Sequence, residues 1–245
     1  KKMQIKNTAN KEEINKFNKL AKEWWDPKGK FAPLHKFNPI RQEYLINKIS
    51  EHFNLDLNNQ NPLNKIDILD VGCGGGLLCE PLSRLGGNVT GIDAAKTNIE
   101  VAKIHMKESG LTIDYINKKP EEIIGKHFDV ILCMEIIEHV EDVTFFIESC
   151  VKLLKNNGII FFATLNKTLK SFVLAIVGAE YILRWLPIGT HDWKKFISPN
   201  EIINKVSKHY LLHVETKGVI FNPFKNKWKL SDDTDVNYMC YFKKN

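Results

Sequence analysis

The sequence predicts an α/β fold built around a parallel β-sheet. Three observations carry that prediction. From about residue 66 onward, short apolar segments alternate with segments of helical period. One of them, FDVILCM at Phe128–Met134, is apolar at nearly every position, as expected of a strand buried on both faces. The first, IDILDVG, runs directly into the glycines Gly72, Gly74 and Gly76, a close-set strand-to-helix turn.

The elements follow in order. Residues 1–60 read as a helical extension. Glu12 to Trp25 carries Phe17, Leu20, Ala21 and Trp24 at helical spacing. A second helix is expected over HKFNPIRQEYLINKISEHF, with Asn38 as N-cap and Pro39 at its first position. An Asn-rich loop separates it from the first strand. GLLCEPLSRLGG reads as a short helix stopped by Gly86, NVTGID as the second strand, and AKTNIEVAKIHMKESG as a helix ending at Gly110. TIDYIN and FDVILCM are the third and fourth strands, DVTFFIESCVKLLKNNG a helix, and IIFFATLN the fifth strand. Strands joined by helices imply right-handed crossovers. SPNEIINKVSKHY is a helix capped by Ser198, and LLHVETKGV and VNYMCYFKK supply two last strands. Residues 167–197 break this rhythm and read as an apolar insertion before the last helix, within one domain spanning 1–245.

Composition narrows the classes. At 245 residues, 43% hydrophobic and 26% charged, the chain has ordinary globular usage. The net charge of +6 comes from scattered lysines, not from the clustered patch of a nucleic-acid footprint. Five cysteines with no C-x-x-C pair argue for a reducing compartment and against a zinc site. The opening KKMQIKNTAN has no apolar core, so no secretion signal is read there, and no run of 18 apolar residues is present to span a membrane.

The glycines call for something that approaches the backbone closely. In an open parallel sheet, ligands sit at the carboxyl ends of the strands, where this turn lies. Asp93 ends the second strand, 21 residues after Gly72, and an acid at that distance suits a ribose hydroxyl pair. A nucleoside-containing cofactor follows. A dinucleotide fingerprint would need glycine at position 77, which is Leu77. The pattern is instead D-x-G-x-G-x-G through Asp70, Gly72, Gly74 and Gly76. It resembles motif I of the class I S-adenosylmethionine-dependent methyltransferases. Asp70 suits the charged amino group of that cofactor. A ligand-free tight turn and NAD binding are the alternatives.

Further stretches make the resemblance more specific: WWDPKGKFAPLHKFNPIR, CMEIIEHV, GAEYILRWLPIGTHDWKKFISPNE and DVNYM. Together they resemble the ubiquinone-biosynthesis O-methyltransferase family, which methylates polyprenyl catechols, over about Phe17 to Tyr241. The resemblance implies the Rossmann-like seven-stranded sheet of class I methyltransferases, mostly parallel with an antiparallel last strand. It implies both O-methylation steps of the pathway, with a polyprenyl catechol or hydroquinone as substrate. Carried over by position, it makes Arg41, Gly72, Asp93 and Met134 cofactor-binding. Asp93 would take the ribose, Gly72 admit the amino acid end, Met134 cover the adenine and Arg41 meet the carboxylate. Without the family, Arg41 reads as a solvated or salt-bridging residue.

MEIIEHVED places Glu135, Glu138 and His139 three and four residues apart, on one face if the segment is a helical turn. Two carboxylates and an imidazole beside a cofactor can hold a hard divalent cation. The resemblance makes the same three residues magnesium ligands and catalytic residues. Solvated acids with His139 alone as base, or neither role, stay open. The rivals are a methyltransferase of another small phenol, a nucleic-acid methyltransferase and a non-catalytic binding module. Against the second, the position after the fourth strand lacks an Asn/Asp-Pro-Pro-aromatic motif and no nucleic-acid partner is expected. Against the third stand Glu135, Glu138 and His139.

The insertion SFVLAIVGAEYILRWLPIG is strongly apolar and flanked by Lys167, Lys170, Lys194 and Lys195. That pattern suits an interfacial segment on an anionic membrane across 167–195, or a lid or core element. The expected location is cytoplasmic, peripheral on the inner face of the membrane, with other ubiquinone-biosynthesis proteins as further partners.

Overall fold

The computed structural model describes residues 24–29, 31–171, 195–222 and 227–245. The expected helix Glu12–Trp25 lies outside them except for Trp24 and Trp25, which stand in a turn. Residues 172–194 of the insertion also lie outside.

Helix α1 spans Ala32–Phe53. Strands β1 (Asp67–Val71), β2 (Asn88–Ile92), β3 (Asp114–Ile116), β4 (Phe128–Met134) and β5 (Leu154–Leu165) follow, with helices α2 (Cys79–Arg84), α3 (Lys96–Glu108) and α4 (Val143–Lys152) between them. Helix α5 (Pro199–Ser207) leads into β6 (Leu211–Asn222), β7 (Lys227–Ser231) and β8 (Asn237–Lys244). The sheet order is β3-β2-β1-β4-β5-β8-β6-β7. Strands β1 to β5 pair in parallel, and β8 enters antiparallel between β5 and β6. The mostly parallel sheet is therefore as expected, and it gains an eighth strand. β7 pairs antiparallel with β6 at the edge, and its alternation of Lys227, Trp228, Lys229 and Leu230 is too short to stand out in the sequence.

Alternating residues of the central strands feed two cores. Ile68, Val130, Leu132, Ile159 and Phe161 pack with Tyr44, Leu45 and Ile49 of α1, Leu82 of α2 and Ile99 of α3. Leu69, Val71, Ile131, Cys133, Ile160 and Phe162 pack on the other face with Phe146 and Ile147 of α4 and Ile202 and Val206 of α5. Both faces being covered, these strands read as continuous apolar runs.

The start of α1 corrects the sequence reading. The helix begins six residues before Asn38, with Pro33 in its first turn, and runs through Pro39. Asn38 is buried inside the helix and caps nothing. An interior proline costs a hydrogen bond, but packing outweighs local propensity here: Tyr44, Leu45 and Ile49 on the same helix are buried in the core. The other caps fall where the sequence places them. The Ser198 side chain accepts the Glu201 N–H, and Asp142 accepts that of Phe145.

Candidate functional site

The order of the sheet reverses between β1 and β4, and such a switch point opens a crevice at the strands' carboxyl ends. The glycine turn follows β1, Asp93 follows β2, and the segment Glu135–His139 follows β4. Arg41 arrives from α1.

Gly72, Gly74 and Gly76 all have positive φ, at 76°, 55° and 89°. Residues with a Cβ take such angles rarely, and glycine takes them at no steric cost. The sequence asks what approaches this backbone, and in the structure the protein's own side chains do. A Cβ on Gly72 would lie 2.8 Å from Ile136, and one on Gly74 2.7 Å from Trp24. One on Gly76 would meet the Tyr115 hydroxyl. The turn thus forms the close-fitting cradle expected of a binding loop.

Asp93 braces that cradle. Its carboxylate accepts the N–H of Gly74 at 3.0 Å and of Ala95 at 2.7 Å. Burial raises its pKa and these donors pull it back. A carboxylate offers about four acceptor positions, so room is left for a ligand hydroxyl. Met134 ends β4, buried in the same core as α1 to α3.

Asp70 is buried on β1 and accepts the Cys79 thiol at 3.2 Å. Burial pushes its carboxyl up to about 7, with the nearby Asp93 charge adding to the rise. A folded-state pKa above the unfolded value means stability that is complete below the unfolded pKa and lost as pH rises through about 7. The melting temperature should therefore fall between pH 5 and pH 8, and Asp70→Asn should shrink that fall. An unchanged pH dependence in Asp70→Asn melts would contradict this.

Past β4 the expected helical face does not form. Glu135 has a positive φ of 54°, and only Ile137–His139 makes a 3-10 turn. The left-handed residue turns the chain so that Glu138 points inward, where its Oε2 accepts the Thr164 hydroxyl at 2.8 Å. Glu138 Oε1 is buried without a partner. Burial, and next the Glu135 charge, raise the Glu138 pKa well above the ordinary range. Glu135 forms an ion pair with Arg41. Arg41 is itself buried, 3% exposed, and its guanidinium lies over the Phe37 ring at 4.0 Å. The cation expected to meet a cofactor carboxylate thus holds a protein carboxylate in this structure, the salt-bridging role that Arg41 has without the family.

Among the described residues no group of three His, Cys, Asp or Glu side chains could hold a metal ion. The three-ligand magnesium site of Glu135, Glu138 and His139 is not brought together. What the structure does place together is two carboxylates near enough for the charge of one to act on the other, one with a buried, unpartnered oxygen. Magnesium is commonly held by one or two carboxylates and waters, so this pair fits it in donor chemistry.

Residues 69–162 match the family model described as a methyltransferase domain. A protein of Pelagibacter ubique named ubiquinone biosynthesis O-methyltransferase is 58% identical over 240 residues, covering 98% of this chain and all of that protein. A protein of Bartonella quintana with the same name is 51% identical, covering 98% of each. The chain belongs to the ubiquinone biosynthesis O-methyltransferase family. It is an O-methyltransferase.

Solved structures with the same fold include a magnesium protoporphyrin IX methyltransferase from Synechocystis with bound SAH. It is 16% identical, with a TM-score of 0.65 and 94% of each chain covered. The plantazolicin methyltransferase BpumL with SAH is 18% identical, with a TM-score of 0.64, 96% of this chain and 100% of that one covered. The matched methyltransferase segment holds every expected site residue of this family member except Arg41. It also omits Trp24 and Thr164, which the structure adds to the site. Thr164 escaped the sequence reading because a threonine in an apolar strand, FFATLN, reads as an ordinary β-branched filler.

Proposed function

We propose that S-adenosylmethionine is the methyl donor, bound by Asp70, Gly72, Gly74, Gly76, Asp93, Met134 and Arg41, and that the acceptor is a catechol hydroxyl of a polyprenyl substrate. The observation that carries this is the meeting of the glycine cradle, Asp93 and the Glu135–Glu138 pair at one switch point, in a member of this family. Methyl transfer from a sulfonium is an in-line displacement: the oxygen–carbon bond forms as the carbon–sulfur bond breaks. The protein's tasks are to align oxygen, methyl and sulfur and to remove the phenolic proton. A phenol ionises near pH ~10, so ionising it at neutrality takes roughly 4 kcal/mol. His139, on the turn beside the carboxylate pair, is assigned as the base that takes the proton.

Glu135 and Glu138 would hold a magnesium ion if Arg41 releases Glu135; bound there, the ion would lower the pKa of the catechol. Exhaustive chelation should then abolish turnover and leave binding of S-adenosylhomocysteine nearly intact. Full activity after chelation would leave His139 as a base acting alone.

The polyprenyl tail makes a membrane surface the natural source of substrate. The apolar stretch 172–186 with its flanking lysines supports a peripheral contact with the inner face of an anionic membrane, and other proteins of the pathway are expected near it. The protein should sediment with anionic vesicles and not with neutral ones. Replacing Val173, Ile176 and Leu183 by Ser should weaken that binding and spare turnover of a short-chain catechol. The reverse outcome would make the segment a lid or core element.

A further inference from the structure

Arg41 and Glu135 form an ion pair whose two halves are unequally buried. The Arg41 side chain is 4% exposed and that of Glu135 is 24% exposed. Glu135 is bonded at Nη2, while Nε of the same guanidinium is buried with no partner. A carboxylate seated squarely on a guanidinium takes two parallel N–H groups. Glu135 takes only the Nη2 donor, so Arg41 keeps a buried N–H for a better-placed anion. The Phe37 ring covers one face of the guanidinium, with its centroid 4.0 Å away, and leaves the edge to that anion.

The pair can part in one way only. A buried charge stripped of its partner is strongly destabilising. Glu135 reaches water and can leave, whereas Arg41 needs a replacement anion when it does. Glu135 also holds a left-handed φ of 54°, a conformation that side chains disfavour and that clusters at switching segments. The turn it begins lies against the glycine loop: a Cβ on Gly72 would come 2.8 Å from the Ile136 side chain. Gly72 is the position assigned above to the amino acid end of the methyl donor. The donor's carboxylate is therefore expected at this ion pair.

We propose that Glu135 is an exchangeable counter-ion for Arg41: the carboxylate of the methyl donor takes its place on the guanidinium and releases Glu135 to the acceptor side of the site. This rests on the reading of Arg41 as the residue that meets the donor's carboxylate. The charge on Arg41 stays balanced before and after the exchange. Arg41 then has its salt-bridging and its cofactor-binding role in turn. Binding becomes sequential, because the Glu135 carboxylate is free for the acceptor only once the donor is in place. A ligand shifts such an equilibrium only by its differential affinity for the two states, and here that difference lies in the donor's carboxylate.

The test is calorimetry of two ligands, S-adenosylhomocysteine and methylthioadenosine, which lacks the amino acid end. Each is titrated into the full chain, Glu135→Gln, Arg41→Met and the double variant. Glu135→Gln removes the charge that the ligand must displace. It should bind S-adenosylhomocysteine about tenfold tighter, the low end for a hydrogen bond to a charged group, and methylthioadenosine no tighter. Arg41→Met should weaken S-adenosylhomocysteine at least tenfold. In that background the gain from Glu135→Gln should vanish, since the two residues act as one pair. Unchanged or weaker S-adenosylhomocysteine binding in folded Glu135→Gln, or an equal gain for methylthioadenosine, would overturn the exchange. So would the same gain in the Arg41→Met background, which would mean plain charge repulsion. A crystal structure of the unaltered protein with S-adenosylhomocysteine covers the case in which Glu135→Gln does not fold. Arg41 should lie on the ligand's carboxylate and Glu135 off Arg41, and an intact Arg41–Glu135 pair beside the bound ligand would overturn the exchange. Undiminished S-adenosylhomocysteine affinity in Arg41→Met would instead overturn the reading of Arg41 as the carboxylate's partner, and this proposal with it.

Discussion

His139→Ala should lower kcat by roughly 10²- to 10⁴-fold, the contribution of a positioned general base. Affinity for S-adenosylhomocysteine should not change, because the residue is assigned to the acceptor's proton and not to the donor. His139 sits on the 3-10 turn behind the left-handed Glu135, so the substitution leaves β4 and its core untouched. Raising the pH should partly restore the variant, as more of the catechol ionises without help. A variant with wild-type kcat at neutral pH would remove His139 from the mechanism. One that loses donor affinity in proportion would place it in the cofactor site instead.

Asp93→Ala should weaken cofactor binding by roughly 1.5 to 3 kcal/mol, the range for hydrogen bonds to a charged group. That is about 10- to 150-fold in Kd. Two effects act together at this residue. The carboxylate offers acceptors to the ribose hydroxyls, and it also accepts the Gly74 and Ala95 N–H groups, so its loss frees the glycine turn. A melting curve separates them. A folded variant with undiminished affinity would take Asp93 out of the donor site, whatever its role in bracing the turn.

The sheet was legible because its cause is periodic. Residues of β1, β4 and β5 alternate between two cores, and both cores are apolar, so the strands stand out as unbroken runs. The glycine turn was legible for a related reason: positive φ at three close positions leaves few other residues as candidates. What the sequence hid was local competition. Asn38 and Pro39 form a well-made helix start, yet the chain enters α1 earlier, because burial of Tyr44, Leu45 and Ile49 outweighs a lost hydrogen bond. Spacings of three and four suggested one helical face for Glu135, Glu138 and His139. A single left-handed residue at Glu135 cancels that periodicity, and nothing in its side chain announces it. Long-range partners were equally invisible. The pairing of Arg41 with Glu135 spans 94 residues, and that of Thr164 with Glu138 joins the end of β5 to the turn past β4. Trp24 to Asn98 spans 74 residues and depends on which way an amide faces.

On the function proposed above, this switch-point site moves a methyl group from S-adenosylmethionine onto a catechol oxygen of a prenylated substrate. Label transfer tests it most directly. The purified protein is given methyl-labelled donor with a prenylated catechol, the same compound with both hydroxyls already methylated, and a nucleic acid, and the labelled product is identified. Label is expected on one catechol oxygen, none on the methylated compound and none on the nucleic acid. Label on the nucleic acid, or no transfer to the catechol by a protein that binds the donor, would contradict it.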